Sequence, residues 1–298
     1  MPLFSNRPFV PFLRNLVCSL DRLAVRNWFT LALDAATCAS IGTDRGSSSA
    51  AAECVYPYMT SLHNQSGSTA RYGTLPFFWI AVQRPLWVHY LLGLGLSVIN
   101  CDLDIVWLND ARPHMIRTKG DLLLQGDTAA GLNSGFYLAR PSERASAFFS
   151  VWLTDLENRG ASGVNVDEQR SLNHVLRSKS ANYHVRVLNQ TLYPNGRLWF
   201  DFNLYSKRVV NIVHCNWVRH NKKTRLRRDN LWFLDEHDTV CAAGFDPLRG
   251  GCDRRCVAVS YCTPGRPCNP YTDCGAMLAS RRRRRRAARP PTRARTTR

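Results

Sequence analysis

Val98-Ile99-Asn100-Cys101-Asp102-Leu103-Asp104-Ile105-Val106-Trp107-Leu108 is the stretch on which the fold turns. Apolar, largely β-branched residues crowd both sides of Asp102 and Asp104, so the segment reads as a buried strand that meets two carboxylates and then continues apolar. Carboxylates one residue apart at a strand end can face a shared cation, and a hard divalent ion offsets both their repulsion and their desolvation. Spacing alone does not decide this. Among 17 Asp in 298 residues an Asp-x-Asp arises about once by chance, and single acids at strand ends also cap loops and helices. The apolar setting favours the cation, because an unpaired acid pair beside a buried strand is costly.

With 45% hydrophobic and 10% aromatic residues, the chain can bury one large core or two modest ones. The richest apolar stretch, Trp79 to Leu96, is interrupted by Gln83, Arg84, Pro85 and His89, so no membrane span is expected. Met1 to Arg7 lacks the basic start and long apolar region of a signal peptide, so membrane association is expected only through an anchor missing from this chain. Ten Arg and no acid lie between Arg281 and Arg298, and without them the formal charge of +18 falls to +8. That tail has nothing apolar to bury and no aromatics to stack on bases, so it reads as solvated and disordered, with no specific nucleic-acid partner.

Cysteine usage is uneven. Cys18, Cys38, Cys54, Cys101 and Cys215 stand in apolar settings, where the default is a small buried hydrophobe. Cys241, Cys252, Cys256, Cys262, Cys268 and Cys274 crowd a Gly/Pro-rich end without any Cys-x-x-Cys, which points to disulfides and an oxidising compartment rather than zinc. The odd total leaves a free thiol. The expected domains are 1–240, a Cys-rich extension over 241–276 and the tail over 277–298.

In chain order, Phe9 to Leu23 has helical spacing and Trp28 to Leu33 reads as a strand ending at Asp34. Only Leu3-Phe4-Ser5-Asn6 precedes that helix, too little for a whole strand, and Gly42 to Ala52 reads as a loop insertion. Leu86 to Leu94 reads as a helix with Pro85 in its first turn and Gly95 at its end. Asp121 to Gln125 and Phe136 to Ala139 read as strands separated by a turn-rich run ending Asn133-Ser134-Gly135. Ser142 to Glu157 and Asp167 to Arg177 read as helices, the second capped by Asp167. Val185 to Leu188 and Val209 to His214 complete a β/α alternation. Such alternation specifies an α/β layer structure with a mostly parallel central sheet, whose ligand crevice lies at the carboxyl ends of the strands.

Leu92-Gly93-Leu94-Gly95, the Asp102 to Leu108 segment, Asp121 to Gln125, Asn133 to Tyr137, Asp167-Glu168-Gln169 with Leu172-Asn173, Tyr193 to Gly196 and Val213-His214-Cys215-Asn216-Trp217 occur in one order. That ordered set resembles the nucleotide-diphospho-sugar transferase family and is similar to plant and algal arabinosyl-, xylosyl- and galactosyltransferases, over roughly Phe4 to Asp235. The resemblance implies a GT-A-like, Rossmann-like sheet flanked by helices, a Golgi or secretory-lumen setting, and sugar transfer from a nucleotide-sugar donor, expected to be a UDP-sugar, to a glycan or glycoprotein acceptor with retention of configuration. It implies Mn2+ or Mg2+ held by Asp102, Asp104 and His214, although a lone His of this kind is otherwise a satisfied core residue. It implies donor contacts from Asn6, Arg84, Asp102, Asn133, Ser134, Gly135 and Lys222, with Lys223 and Arg225 beside the last. Asp167, Glu168 and Gln169 are the implied catalytic group. Three alternatives remain open at this level: an inactive scaffold, a partner-binding protein working through its basic tail, and a nucleotidyltransferase using the same metal and nucleotide.

Overall fold

The computed structural model describes residues 1–42, 54–55, 74–128, 131–162, 167–178, 183–202, 209–218, 221–239 and 241–242. The Cys-rich extension beyond Ala242, the arginine tail and residues 43–52 of the expected Gly42 to Ala52 insertion lie outside the described residues, while Gly42 itself ends a helix.

The described chain runs β1 (Pro2–Ser5), a 3-10 turn (Arg7–Phe9), α1 (Val10–Arg22), β2 (Phe29–Ala32), α2 (Ala35–Gly42), β3 (Cys54–Val55), α3 (Leu75–Gly93), β4 (Val98–Cys101) and β5 (Ile105–Trp107). It continues through α4 (Arg112–Arg117), β6 (Leu122–Thr128), β7 (Gly131–Ala139), α5 (Glu143–Ala161), α6 (Glu168–Arg177), β8 (Val185–Leu188), α7 (Gly196–Phe200), β9 (Ile212–His214) and α8 (Lys222–Arg228). Leu3 to Ser5 form a four-residue strand with Pro2, paired in parallel along the whole of β2, which in turn pairs in parallel with β3. A second group has the order β4-β7-β6-β8, antiparallel at β4/β7 and β6/β7 and parallel at β6/β8. β5 pairs antiparallel with β9.

Strand alternation divides the core into two layers. Leu123, Phe136 and Leu138 face the cluster built around Leu13, Leu16 and Leu20 of α1. Their neighbours Leu122, Leu124, Tyr137 and Ala139 face the opposite cluster, with Val88 and Leu92 of α3 and Phe148, Phe149 and Trp152 of α5. The period of two along β6 and β7 thus feeds one helical layer on each face, as an α/β architecture requires.

Four local expectations are corrected. Val98 to Leu108 is not one strand: the chain turns at Asp102, where Ile105 N–H donates to the Asp102 carbonyl at 3.2 Å, and β5 leaves to pair with β9. α3 begins at Leu75 and carries Pro85 inside it rather than in its first turn. Asn133-Ser134-Gly135 lies within β7, not in a turn before it, because β7 pairs with β6 as far back as Gly131. Cys18, Cys38 and Cys54 are not plain buried hydrophobes, since Cys18 bonds Cys241 and Cys38 bonds Cys54. Apolar surroundings suit a half-cystine as well as a thiol, so sequence context could not separate the two. Cys101 and Cys215 are buried free thiols.

Candidate active site

The turn between β4 and β5 presents the two acids. Asp102 N–H donates to the Gly135 carbonyl at 2.8 Å, Cys215 N–H donates to the Asp104 carbonyl at 2.9 Å, and Leu103 between them packs into the core. With Leu103 pointing inward, Asp102 and Asp104 share the other side. The β5/β9 register sets His214 opposite Ile105, next to Asp104 in sequence. One ligand atom from each of Asp102, Asp104 and His214 lies within 4.8 Å of the other two. His214 Nε2 is 3.3 Å from Asp104 Oδ1 and 3.7 Å from Asp102 Oδ2.

Gln125 decides which imidazole nitrogen is available. Its amide N–H groups donate to the carbonyls of Tyr193 and Pro194, both at 3.1 Å, which turns its oxygen toward His214. That oxygen lies 2.9 Å from Nδ1 and can only accept, so Nδ1 carries a proton and Nε2 is the nitrogen that faces the acids. Gly135 makes room for this grouping. A Cβ there would overlap the Asp102 carboxylate and sit 2.7 Å from His214 Cε1.

Two cations balance the acids. Lys222 Nζ is 2.7 Å from Asp104 Oδ2, and the half-buried Arg84 pairs with Asp102 and, at 2.5 Å, with Glu168 Oε2. Burial opposes ionisation of Asp104, but Lys222 and His214 outweigh it and hold its carboxyl well below the usual range. Burial likewise works against the Arg84 charge, and Asp102 and Glu168 overcome it. At Glu168, burial pushes the carboxyl up to about 8 despite the opposing pull of Arg84. Glu168 Oε1 is buried with no hydrogen-bond partner among the described residues.

A hydrogen-bond network continues from this cluster. Gln169 Oε1 accepts from Asn133 Nδ2 at 2.9 Å and from Ser134 N–H at 3.3 Å, and Gln169 Nε2 donates to Asp127 Oδ2 at 3.1 Å. Asp127 Oδ1 accepts from Asn216 Nδ2 at 3.0 Å and Trp217 Nε1 at 2.9 Å. Asp167 stands one step back as the α6 N-cap, accepting from Gln169 and Arg170 N–H. Asn6 is buried at the carboxyl end of β1, where its carbonyl accepts from Phe9 N–H at 2.9 Å. Lys223 and Arg225 turn elsewhere: Lys223 pairs with Asp238 and Arg225 donates to the Phe200 carbonyl. Gln125 and Asp127 were not found from sequence. The available signal was a strand, Leu122-Leu123-Leu124, running without a break into Gln125-Gly126-Asp127, which reads equally as the start of a turn.

Among the described residues, no helix is long and apolar enough to cross a membrane. A family model described as nucleotide-diphospho-sugar transferase matches residues 23–228. The chain is 25% identical over 263 residues to UDP-D-xylose:L-fucose alpha-1,3-D-xylosyltransferase MGP4 of Arabidopsis thaliana, covering 80% of this chain and 71% of that protein. It is 24% identical over 200 residues to UDP-galactose:fucoside alpha-3-galactosyltransferase of Dictyostelium discoideum, covering 58% of this chain but only 31% of that one. It is 26% identical over 262 residues to the beta-arabinofuranosyltransferase RAY1 of Arabidopsis thaliana, covering 77% and 46%. Among solved structures, the galactosyltransferase LgtC in complex with donor and acceptor sugar analogs is similar at a TM-score of 0.48 and 12% identity, over 76% of this chain and 93% of that chain.

Proposed function

The chain belongs to the nucleotide-diphospho-sugar transferase family, and we propose that it is a metal-dependent transferase that moves a sugar from a UDP-sugar to a glycan or glycoprotein acceptor with retention of configuration. The observation that carries this reading is the convergence of Asp102, Asp104 and His214, with Gln125 fixing the imidazole so that Nε2 faces the two carboxylates. Two carboxylates and a neutral imidazole nitrogen form a donor set suited to Mn2+ or Mg2+. When bound, such an ion supplies Lewis-acid neutralisation of the charge that develops on a departing diphosphate.

The chain's own residues do the rest. Lys222 and Arg84 offset the charge of the acids, so a divalent ion held there would leave this rim positive toward a diphosphate. Glu168 Oε1, buried and without a partner among the described residues, is the atom of that carboxyl left to hydrogen-bond a sugar hydroxyl, and Arg84 fixes the other oxygen. Gln169, oriented by Asn133, Ser134 and Asp127, lines the same surface, and Asp167 holds both residues by capping their helix. Retention follows if the acceptor attacks on the face the diphosphate leaves, its proton passing to the leaving phosphate oxygen. The Cys18–Cys241 and Cys38–Cys54 disulfides support a place in the secretory lumen. The names of the relatives suggest donors and acceptors to try first.

The test is UDP release from UDP-xylose, UDP-galactose and UDP-arabinose, with manganese, against a panel of methyl glycosides of L-fucose, D-galactose, D-xylose and L-arabinose. Acceptor-dependent release that disappears in Asp104→Ala is the expected result. Release that survives both chelation and Asp104→Ala would reject the metal-dependent reading.

A further inference from the structure

Trp217 has a combination of properties that packing does not explain. It is 45% exposed, its backbone is left-handed with φ 63°, and it lies three residues beyond His214. A bulky residue in that backbone region is a steric outlier, and such strain persists where surrounding contacts enforce it. The enforcing contact is on the other edge of the ring, where the indole N–H donates to Asp127 at 2.9 Å. Asp127 is itself buried and is anchored by Asn216 and Gln169. Gln169 in turn holds Asn133 and Ser134, next to Gly135, whose carbonyl accepts from Asp102 N–H. A chain of hydrogen bonds therefore fixes an open aromatic ring relative to the acid cluster, while little apolar burial rewards the ring for being there.

We propose that Trp217 is the platform on which the acceptor binds, and that the acceptor is a sugar ring rather than a protein hydroxyl. This rests on the transferase reading above and extends it to the substrate class. A pyranose carries C–H groups on one face and hydroxyls around its rim. The rigid, amphipathic indole offers an apolar face to the former, while the half-buried Asn216 beside it, one of whose amide hydrogens goes to Asp127, has a second to donate to the latter. A serine or threonine side chain has no such face and would leave the ring in water. The competing occupant for an exposed indole is the uracil of the donor, and the experiment separates the two.

The full chain is labelled with 5-fluorotryptophan, so that its eight tryptophans give separate fluorine resonances, and Trp217→Phe identifies the one sought. Manganese and UDP are added first, then each methyl glycoside of the panel above. The expected result is that UDP leaves the Trp217 resonance nearly in place and at least one glycoside moves it saturably. In Trp217→Ala the glycoside concentration giving half-maximal transfer rises at least tenfold, and Trp217→Phe, which keeps an aromatic face, recovers most of that loss. The inference is overturned if UDP alone moves the resonance and glycosides add nothing. It is equally overturned if manganese-dependent UDP binding is intact and no glycoside moves the resonance. Failure of the folded wild-type chain to bind UDP with manganese would instead remove the transferase reading, and the inference with it. Should Trp217→Ala not fold, the wild-type titration still decides.

Discussion

At the scale of single residues, the account depends on which groups are fixed by others. Gln125 touches no substrate in this reading, yet it sets the proton position on His214 through one 2.9 Å contact. Gln125→Leu is expected to weaken manganese binding about 10- to 100-fold while the fold persists, as read by calorimetric titration of the metal. Gly135→Ala should be more damaging to metal binding than to stability, because its added methyl meets Asp102 and His214 rather than the core. The Asp104–Lys222 pair gives a pH dependence whose sign can be worked out. Asp104 titrates below its ordinary 3.8 in the folded chain, so pairing contributes stability that is present above about pH 4 and lost as the pH falls further. In the metal-free protein, Lys222→Met should therefore cost about 1–2 kcal/mol at pH 7, reduced by the partial exposure of the amine. The gap from wild type should close below pH 4 in denaturant unfolding. The acid pair stands out in the sequence because carboxylates are rare in apolar strands, whereas His214 by itself reads as a satisfied core residue and is singled out only by the family resemblance. Asp127 and Gln125 do not stand out, since their meaning lies in partners about 40 to 90 residues away and neither has an apolar flank on both sides.

At the scale of elements, periodicity places α1 and α6 to within a residue, while α5 runs four residues beyond the expected Glu157, and the larger errors fall where local and long-range signals compete. The Asp102 turn is invisible to a strand reading because Ile105-Val106-Trp107 is as apolar as Val98-Ile99, and only β9, more than 100 residues later, tells the chain to change partners. α3 was read short because Pro85 looks like a helix start, whereas here it is carried within a helix whose length is set by packing against β4 and α5. Asp167 illustrates a double reading that structure separates. Its carboxylate accepts from the N–H groups at the start of α6, so Asp167→Ala should lower stability by about 1 kcal/mol, measurable by thermal unfolding. Asp167→Ser should restore most of the loss if capping is its role, and a contact to donor alone would not be rescued in this way.

At the scale of the whole molecule, α/β layering followed from helices between strands, which is legible from sequence, whereas the sorting of Leu122, Leu123 and Leu124 onto opposite faces is not, because all three are leucine. What holds the ends together is not legible either. The Cys18–Cys241 bond spans 223 residues, and pairing of distant cysteines leaves no trace in local composition. It ties α1 to the segment after α8, where Asp238 already gathers Lys223, Arg227 and Trp232. Cys18→Ser is expected to lower stability by about 2–5 kcal/mol, read as an earlier denaturant midpoint that reductant does not shift further through this bond. The central claim, that Asp102, Asp104 and His214 hold a divalent ion for a nucleoside diphosphate, is tested most directly by calorimetric titration of UDP into the full chain. Binding should require manganese, vanish on chelation and weaken at least tenfold in Asp104→Asn with the variant still folded. UDP binding of equal strength with and without manganese, or unchanged in Asp104→Asn, would contradict it.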